Sequence, residues 1–190
     1  TNANSATIGG GYFNGIGNDA DRATVAGGND NFILDGSAGA VIGGGIANTI
    51  GTNSKVSTIA GGNYNYIANN IWQAAIGGGL WNTNGGYGAA IPGGVFNVAS
   101  GAYSLAAGYR AKALHNGAFV WSDSQDLDFL STTTDQFNVR ANGGVRFATA
   151  GAGMTLDGQP IFSGLNGSAL TGVNAATLQG FDSSSFWKTT

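Results

Sequence analysis

Hydrophobic and polar positions along residues 6–111 repeat as a phrase. A small residue, a variable one and an aliphatic one come first. A glycine cluster follows, then an Asn and a second aliphatic. The first copy is Ala6-Thr7-Ile8-Gly9-Gly10-Gly11-Tyr12-Phe13-Asn14-Gly15-Ile16. Later copies centre on Val25, Ile42, Ile59 and Ile76, each 17 residues after the last, and on Ile91, 15 further on. A seventh, degenerate copy is Ser104-Leu105-Ala106-Ala107-Gly108-Tyr109-Arg110-Ala111. A short fixed period of this kind is the signature of a repeat architecture.

The first half of each copy alternates at period two, which predicts a short strand. Ala6 and Ile8 then share one face and Thr7 and Gly9 the other. The paired glycines end that strand, because glycine turns a corner that other residues reach only at a cost. A second short strand follows, with Asn14 and Ile16 on one face. The variable residues, 17–22 in the first copy, become an outer loop. Interior glycine at about 1 kcal/mol each argues against helix. Stacked at the ~4.8 Å strand spacing, the copies predict an all-β fold: a parallel β-roll or solenoid of about seven coils, with 15–17 residue repeats. One coil is thin, and neighbouring chains are expected to complete its core.

Two columns of residues stand out. Asn14, Asn31, Asn48, Asn65, Asn82 and Asn97 recur at one position. Stacked amides form a structural hydrogen-bonded ladder; the competing reading is a row for an ion or ligand. Phe13, Phe32, Tyr64, Tyr66, Trp81 and Phe96 lie beside them and predict an aromatic stripe along the rod. Such a stripe is either a seam between chains or a platform for sugar rings, and the seam is the reading adopted.

Composition narrows the class. Glycine contributes 35 of 190 residues without a Gly-X-Y period, so the chain is not collagen. With 42% hydrophobic and 11% aromatic residues, it is too apolar for a disordered linker. Only 9% of residues are charged, net charge is −3, and there is no basic cluster, which excludes nucleic acid as an expected partner. Cysteine is absent, and no apolar run is long enough for a membrane-spanning helix. The opening Thr1-Asn2-Ala3-Asn4-Ser5 reads as the tail of a preceding repeat, as in a processed chain or a piece of a longer one.

Residues 104–113, Ser-Leu-Ala-Ala-Gly-Tyr-Arg-Ala-Lys-Ala, resemble the head repeats of trimeric autotransporter adhesins (YadA-like), which follow a Ser-x-Ala-x-Gly-x-x-Ala-x-Ala pattern. The resemblance covers residues 6 to about 121. It implies a left-handed parallel β-roll, three chains packed about a three-fold axis, and adhesion to host or matrix surfaces. The repeats here are longer than that family's coil and carry Gly-Gly-Gly where it has a single Gly.

Beyond the repeats, 115–121 reads as a bulky apolar cap on a head spanning 1–121. Residues 136–140 and 145–148 alternate at period two around Asn142-Gly143-Gly144, predicting a β-hairpin neck within 122–150. Residues 151–190 read as a shaft or connector. Within them 164–175 and 176–187 resemble linker and anchor motifs of bacterial surface proteins and phage tail fibres; a short helix over 176–188 is the competing reading.

No catalytic constellation is visible. The lone His115 lacks metal-ligand partners and reads as a cap residue. Asp123, Asp126 and Asp128 lack the central Gly and terminal Glu of a Ca²⁺ loop and read as a solvated turn. Asp19, Asp21, Asp30 and Asp35 lie in variable loops, unsuited to a rigid carboxylate pair. No cofactor or metal is expected. The reading is a non-enzymatic, homotrimeric extracellular or cell-surface fibre or adhesin module, with a glycan or matrix receptor as a possible partner. The alternative is the glycan-recognising segment of a phage or injection-system tail fibre. An ice-binding solenoid ranks last, because its Thr row (Thr7, Thr24, Thr58) is interrupted by Val41 and Ala75.

Overall fold

A computed structural model describes residues 2–148, 150, 155, 156, 159 and 160. Two compact units are present, Thr1–Gly144 and Val145–Thr190.

The first unit is a parallel β-solenoid of about eight turns, with no helix among the described residues. Two-residue strands dominate. Thr7–Ile8, Thr24–Val25, Val41–Ile42, Thr58–Ile59, Ala75–Ile76 and Ala90–Ile91 pair in order to build one sheet. Gly15–Ile16, Phe32–Ile33, Thr49–Ile50, Tyr66–Ile67, Thr83–Asn84 and Val98–Ala99 build the other. Each coil therefore runs from the first sheet around a glycine corner to the second sheet. An outer turn then returns it to the first. Corner and outer turn form the two opposite edges of a flattened rod.

The interior follows from the period-two pattern. On the first sheet Ala23 and Val25, Ala40 and Ile42, and Ala74 and Ile76 point inward and are fully buried. Asn31 with Ile33, Asn48 with Ile50, and Asn65 with Ile67 do so on the second. Each buried Ile contributes roughly 2–3 kcal/mol. The expectation that neighbouring chains complete a thin core is corrected here. Two facing sheets of one chain close over each other's aliphatics, so the core lies within the chain.

The seventh copy changes the coil. Its corner is one residue shorter, and the first-sheet strand runs straight on as Leu105–Tyr109. The next strand, Phe119–Ser122, pairs with it in parallel from Leu105↔Phe119 to Gly108↔Ser122. Residues 115–121 are thus not a terminal cap, because Phe137–Arg140 adds a further parallel rung on Phe119–Ser122. That also corrects the hairpin reading of 136–148. The alternation of 137–140 is satisfied by the rung beneath it, and 145–148 carry no strand. On the second sheet, Ala111–Ala113 and Phe129–Leu130 continue the stack, so the solenoid runs past residue 121.

In the second unit Thr155–Leu156 pairs antiparallel with Gln159–Pro160. The motifs at 164–175 and 176–188 lie outside the described residues.

Candidate functional surfaces

The six recurrent asparagines meet in one internal column at the corner. The Asn65 backbone N–H and Nδ2 both donate to Asn48 Oδ1 at 3.1 Å, and Asn82 repeats both bonds to Asn65 Oδ1 at the same distance. Asn65 Nδ2 also donates to the Gly61 carbonyl of its own corner (3.1 Å) and the Gly79 carbonyl of the next (3.0 Å). At the far end, the Ala111 N–H donates to Asn97 Oδ1 at 2.9 Å. These amides spend their donors and acceptors on one another and on corner backbone. The column is a hydrogen-bonded spine that ties each corner to the next.

Glycine makes the spine possible. Gly62 has φ +84°, and a Cβ there would run into the Gly79 carbonyl oxygen and lie 2.8 Å from Asn65 Nδ2. Gly11, Gly28, Gly45 and Gly79 stand in the same relation to the coils after them.

The predicted aromatic stripe divides in two. Phe13, Tyr64, Trp81 and Phe96 share one corner column with Asp30 and Ala47, and all six hold left-handed backbone with φ between 54° and 58°. Phe32 and Tyr66 instead stand one strand over, on the outer face of the second sheet. The cause is the left-handed residue itself. It rotates the chain between Phe13 and Asn14, so simple alternation does not carry across the corner. Tyr64 and Trp81 stack nearly parallel, with centroids 4.5 Å apart and 6° between planes. Both are exposed, as are Tyr12, Phe13, Ile46 and Phe96 on the same edge.

That column ends in charge. Arg110 takes the next left-handed position, φ 61°, and lays its guanidinium 5.3 Å from the Phe96 ring centroid. Arg110 bonds to Asp126 and Asp128, and the Tyr109 hydroxyl donates to Asp126 at 2.9 Å. The tyrosine hydroxyl first, then the guanidinium, hold the Asp126 carboxyl below its usual range. Burial pushes the Lys112 ammonium down, against the pull of Asp128. Asp123 accepts from Arg140 Nε (3.1 Å) and from the backbone N–H groups of Asn142 (2.7 Å) and Gln125 (3.3 Å). The Asn142 bond leads in holding its carboxyl low. The three acids of this enlarged corner therefore serve as ion-pair partners. Sequence spacing did not reveal this, since their cations lie 16–18 residues away on the adjoining coils.

His115 and Ser131 meet on the outer-turn side, with Nδ1 and Oγ 2.8 Å apart. Ser131 Oγ also accepts the Leu114 (3.0 Å) and His115 (3.3 Å) backbone N–H groups. Ser131 is buried, and the pair fastens one turn to the next. Asp21 and Asp35 cap neighbouring turns: Asp21 Oδ1 accepts the Asn4 N–H (2.7 Å) and Asp35 Oδ1 the Asn18 N–H (2.8 Å), while Asp19 sits in the outer turn with left-handed backbone, φ 54°. Asp30 stands in the corner column. A shallow hollow lined by Ile8, Asn14 and Ile16 is the open face of the first coil and carries no titratable group. Among the described residues no three His, Cys, Asp or Glu side chains gather as a metal site, and no helix is long and apolar enough to cross a membrane.

The chain matches no protein-family model and no curated protein sequence.

Proposed function

We propose that this chain is a non-enzymatic module of a homotrimeric extracellular fibre, structural in its solenoid and surface-binding through its outer edge. The observation that carries the reading is the corner edge. Tyr12 and Phe13 on the first coil, and Ile46, Tyr64, Trp81 and Phe96 on the third to sixth, leave large apolar side chains in solvent, although the rod already has a closed core; Asn29 and Asp30 interrupt the strip on the second coil. An exposed apolar strip of this length on a chain with 9% charged residues is a surface that a partner covers. Three copies turned toward a common axis would bury it.

Light scattering on a sizing column tests the proposal. The expected mass is three times the 19.0 kDa chain. Trp81→Asp should reduce it to the single-chain mass while circular dichroism stays that of a β-solenoid, because an unpaired charge buried in the seam costs several kcal/mol. A wild-type monomer would overturn the fibre reading.

A further inference from the structure

The edge opposite the corner carries a second cluster, and we infer that it binds a carboxylate-bearing glycan laid along the rod. The outer turns of four successive coils present Lys55 and Val56, then Trp72 and Gln73, then Tyr87, then Tyr103. Trp72 is 46% exposed, Tyr87 42%, Val56 64% and Tyr103 69%. Backbone bonds hold these turns in register: the Gln73 N–H donates to the Lys55 carbonyl (3.1 Å), Gly88 to Trp72 (3.0 Å), and Tyr103 to Tyr87 (2.8 Å). These bonds set two adjacent columns along the edge, Lys55, Trp72 and Tyr87 in one and Val56, Gln73, Gly88 and Tyr103 in the other.

Several features of this ridge fit a sugar chain. Rungs repeat at about 4.8 Å, close to the advance of one pyranose along an extended glycan. Trp72, Tyr87 and Tyr103 can therefore meet successive rings. The Tyr103 ring leans over Gly88, where a Cβ would come within 3.2 Å of Tyr103 Cδ1; glycine at this one position lets the aromatic surface continue along the ridge. Tyr87 and Tyr103 meet edge to face at 5.5 Å and 84°, so they hold two different ring planes. Val56, Gln73 and Tyr103 keep left-handed backbone, φ 54–60°, which for a β-branched valine is a pronounced outlier. Rigid aromatic faces bordered by hydroxyl and amide groups suit a ligand with apolar C–H faces and polar rims.

Lys55 decides the charge of the ligand. Its Nζ lies 5.3 Å from the Trp72 ring centroid, and among the described residues it forms no ion pair. Arg110, Lys112 and Arg140 are engaged by aspartates, whereas Arg22 and Arg146, like Lys55, form no ion pair among the described residues but stand away from this ridge in sequence. A held, uncompensated ammonium at one end of an aromatic row selects a carboxylate over a neutral sugar. A protein interface fits less well, because lysine is depleted at such contacts and Gln73 interrupts the apolar surface.

The inference rests on the fibre reading only in that a seam at the corner edge leaves the outer turns facing solvent. The test uses the full chain and three hexamers, of galacturonate, mannuronate and hyaluronan type, with a methyl-esterified hexagalacturonate as neutral control, followed by calorimetry. At least one acidic hexamer should bind saturably. Trp72→Ala should weaken it by about tenfold. Lys55→Gln should lower the affinity for the acidic hexamer to that for the esterified one, and raised salt should do the same to wild type. Tyr103→Ala, at an exposed position, serves as a second variant should Trp72→Ala disturb the turn. Saturable binding to none of the acidic hexamers, or undiminished binding by Trp72→Ala, Lys55→Gln and Tyr103→Ala, overturns the inference. So does a Trp72→Ala chain that loses its assembly mass, which would make the ridge a chain–chain contact. A trimeric mass without glycan binding defeats the ridge alone. Binding by a monomer defeats the fibre reading alone.

Discussion

At the scale of single residues, glycines next to each other in the corner have different duties. Gly61 has open space where a Cβ would stand, whereas a Cβ on Gly62 collides with the next coil's carbonyl. Gly61→Ala should therefore change stability by less than about 1 kcal/mol, and Gly62→Ala should lower it by several, as judged by urea unfolding. Equal effects of the two would show that the spine does not depend on close backbone approach. Asn65 offers a parallel case. Asn65→Ala would leave the Gly61 carbonyl and the Asn82 N–H without their partner, while the Gly79 carbonyl keeps the Asn63 N–H, a loss of about 2–6 kcal/mol at 1–3 per buried group, partly offset by relaxation. Asn53→Ala, in a half-buried outer turn, gives up one bond to Asn70 Oδ1 (3.2 Å) and should cost less, about 1 kcal/mol.

At the scale of elements, the rung Phe137–Arg140 is held to the one beneath it by more than its ladder. Phe119 and Phe137 stack at 4.7 Å, and Arg140 reaches Asp123 and Ser122 in the preceding corner. The carboxyls of Asp123 and Asp126 both titrate below their ordinary value. Their contribution to stability is thus fully present above the unfolded carboxylate pKa, about 3.9, and is lost as pH falls through the lower folded values. Acidification below about pH 4 should loosen this end of the solenoid first, seen as faster amide exchange in 119–140 than in 41–67. Asp123→Asn should flatten that dependence and weaken the same rung at neutral pH. Uniform exchange along the rod during acidification would contradict it.

At the scale of the whole molecule, a solenoid is held together by nearest-neighbour coils, with each rung paired to one before and one after. Damage should therefore stay local. Gly62→Ala is expected to open 45–79 to hydrogen exchange while 105–122 keep their protection, unless the assembly couples them. In a trimer with the corner edges joined, opening would spread along the seam, so the exchange pattern of Gly62→Ala also reports on the assembly. The two edges carry different partners in this view: apolar corner columns for other copies of the chain, and the Trp72–Tyr103 ridge for an acidic glycan.

The repeat by itself determined the architecture. The 17-residue spacing of Ile8, Val25, Ile42, Ile59 and Ile76 fixes one inward aliphatic per rung. The Gly-then-Asn order fixes a corner followed by an internal amide, because only glycine admits the neighbouring carbonyl so closely. Those signals are local, and each coil repeats them. What only the tertiary structure decided is what neighbouring coils place together when their lengths or backbones depart from the pattern. A left-handed residue at each corner separated Phe13, Tyr64, Trp81 and Phe96 from Phe32 and Tyr66. The shortened corner at residue 108 let Leu105–Tyr109 run on as one strand. The longer step to Phe137 placed that segment on Phe119 as a rung instead of folding it back as a hairpin. Asp123 found Arg140, and Lys55 found Trp72, across 17 residues, a distance in sequence that becomes one strand spacing only once the coils are stacked.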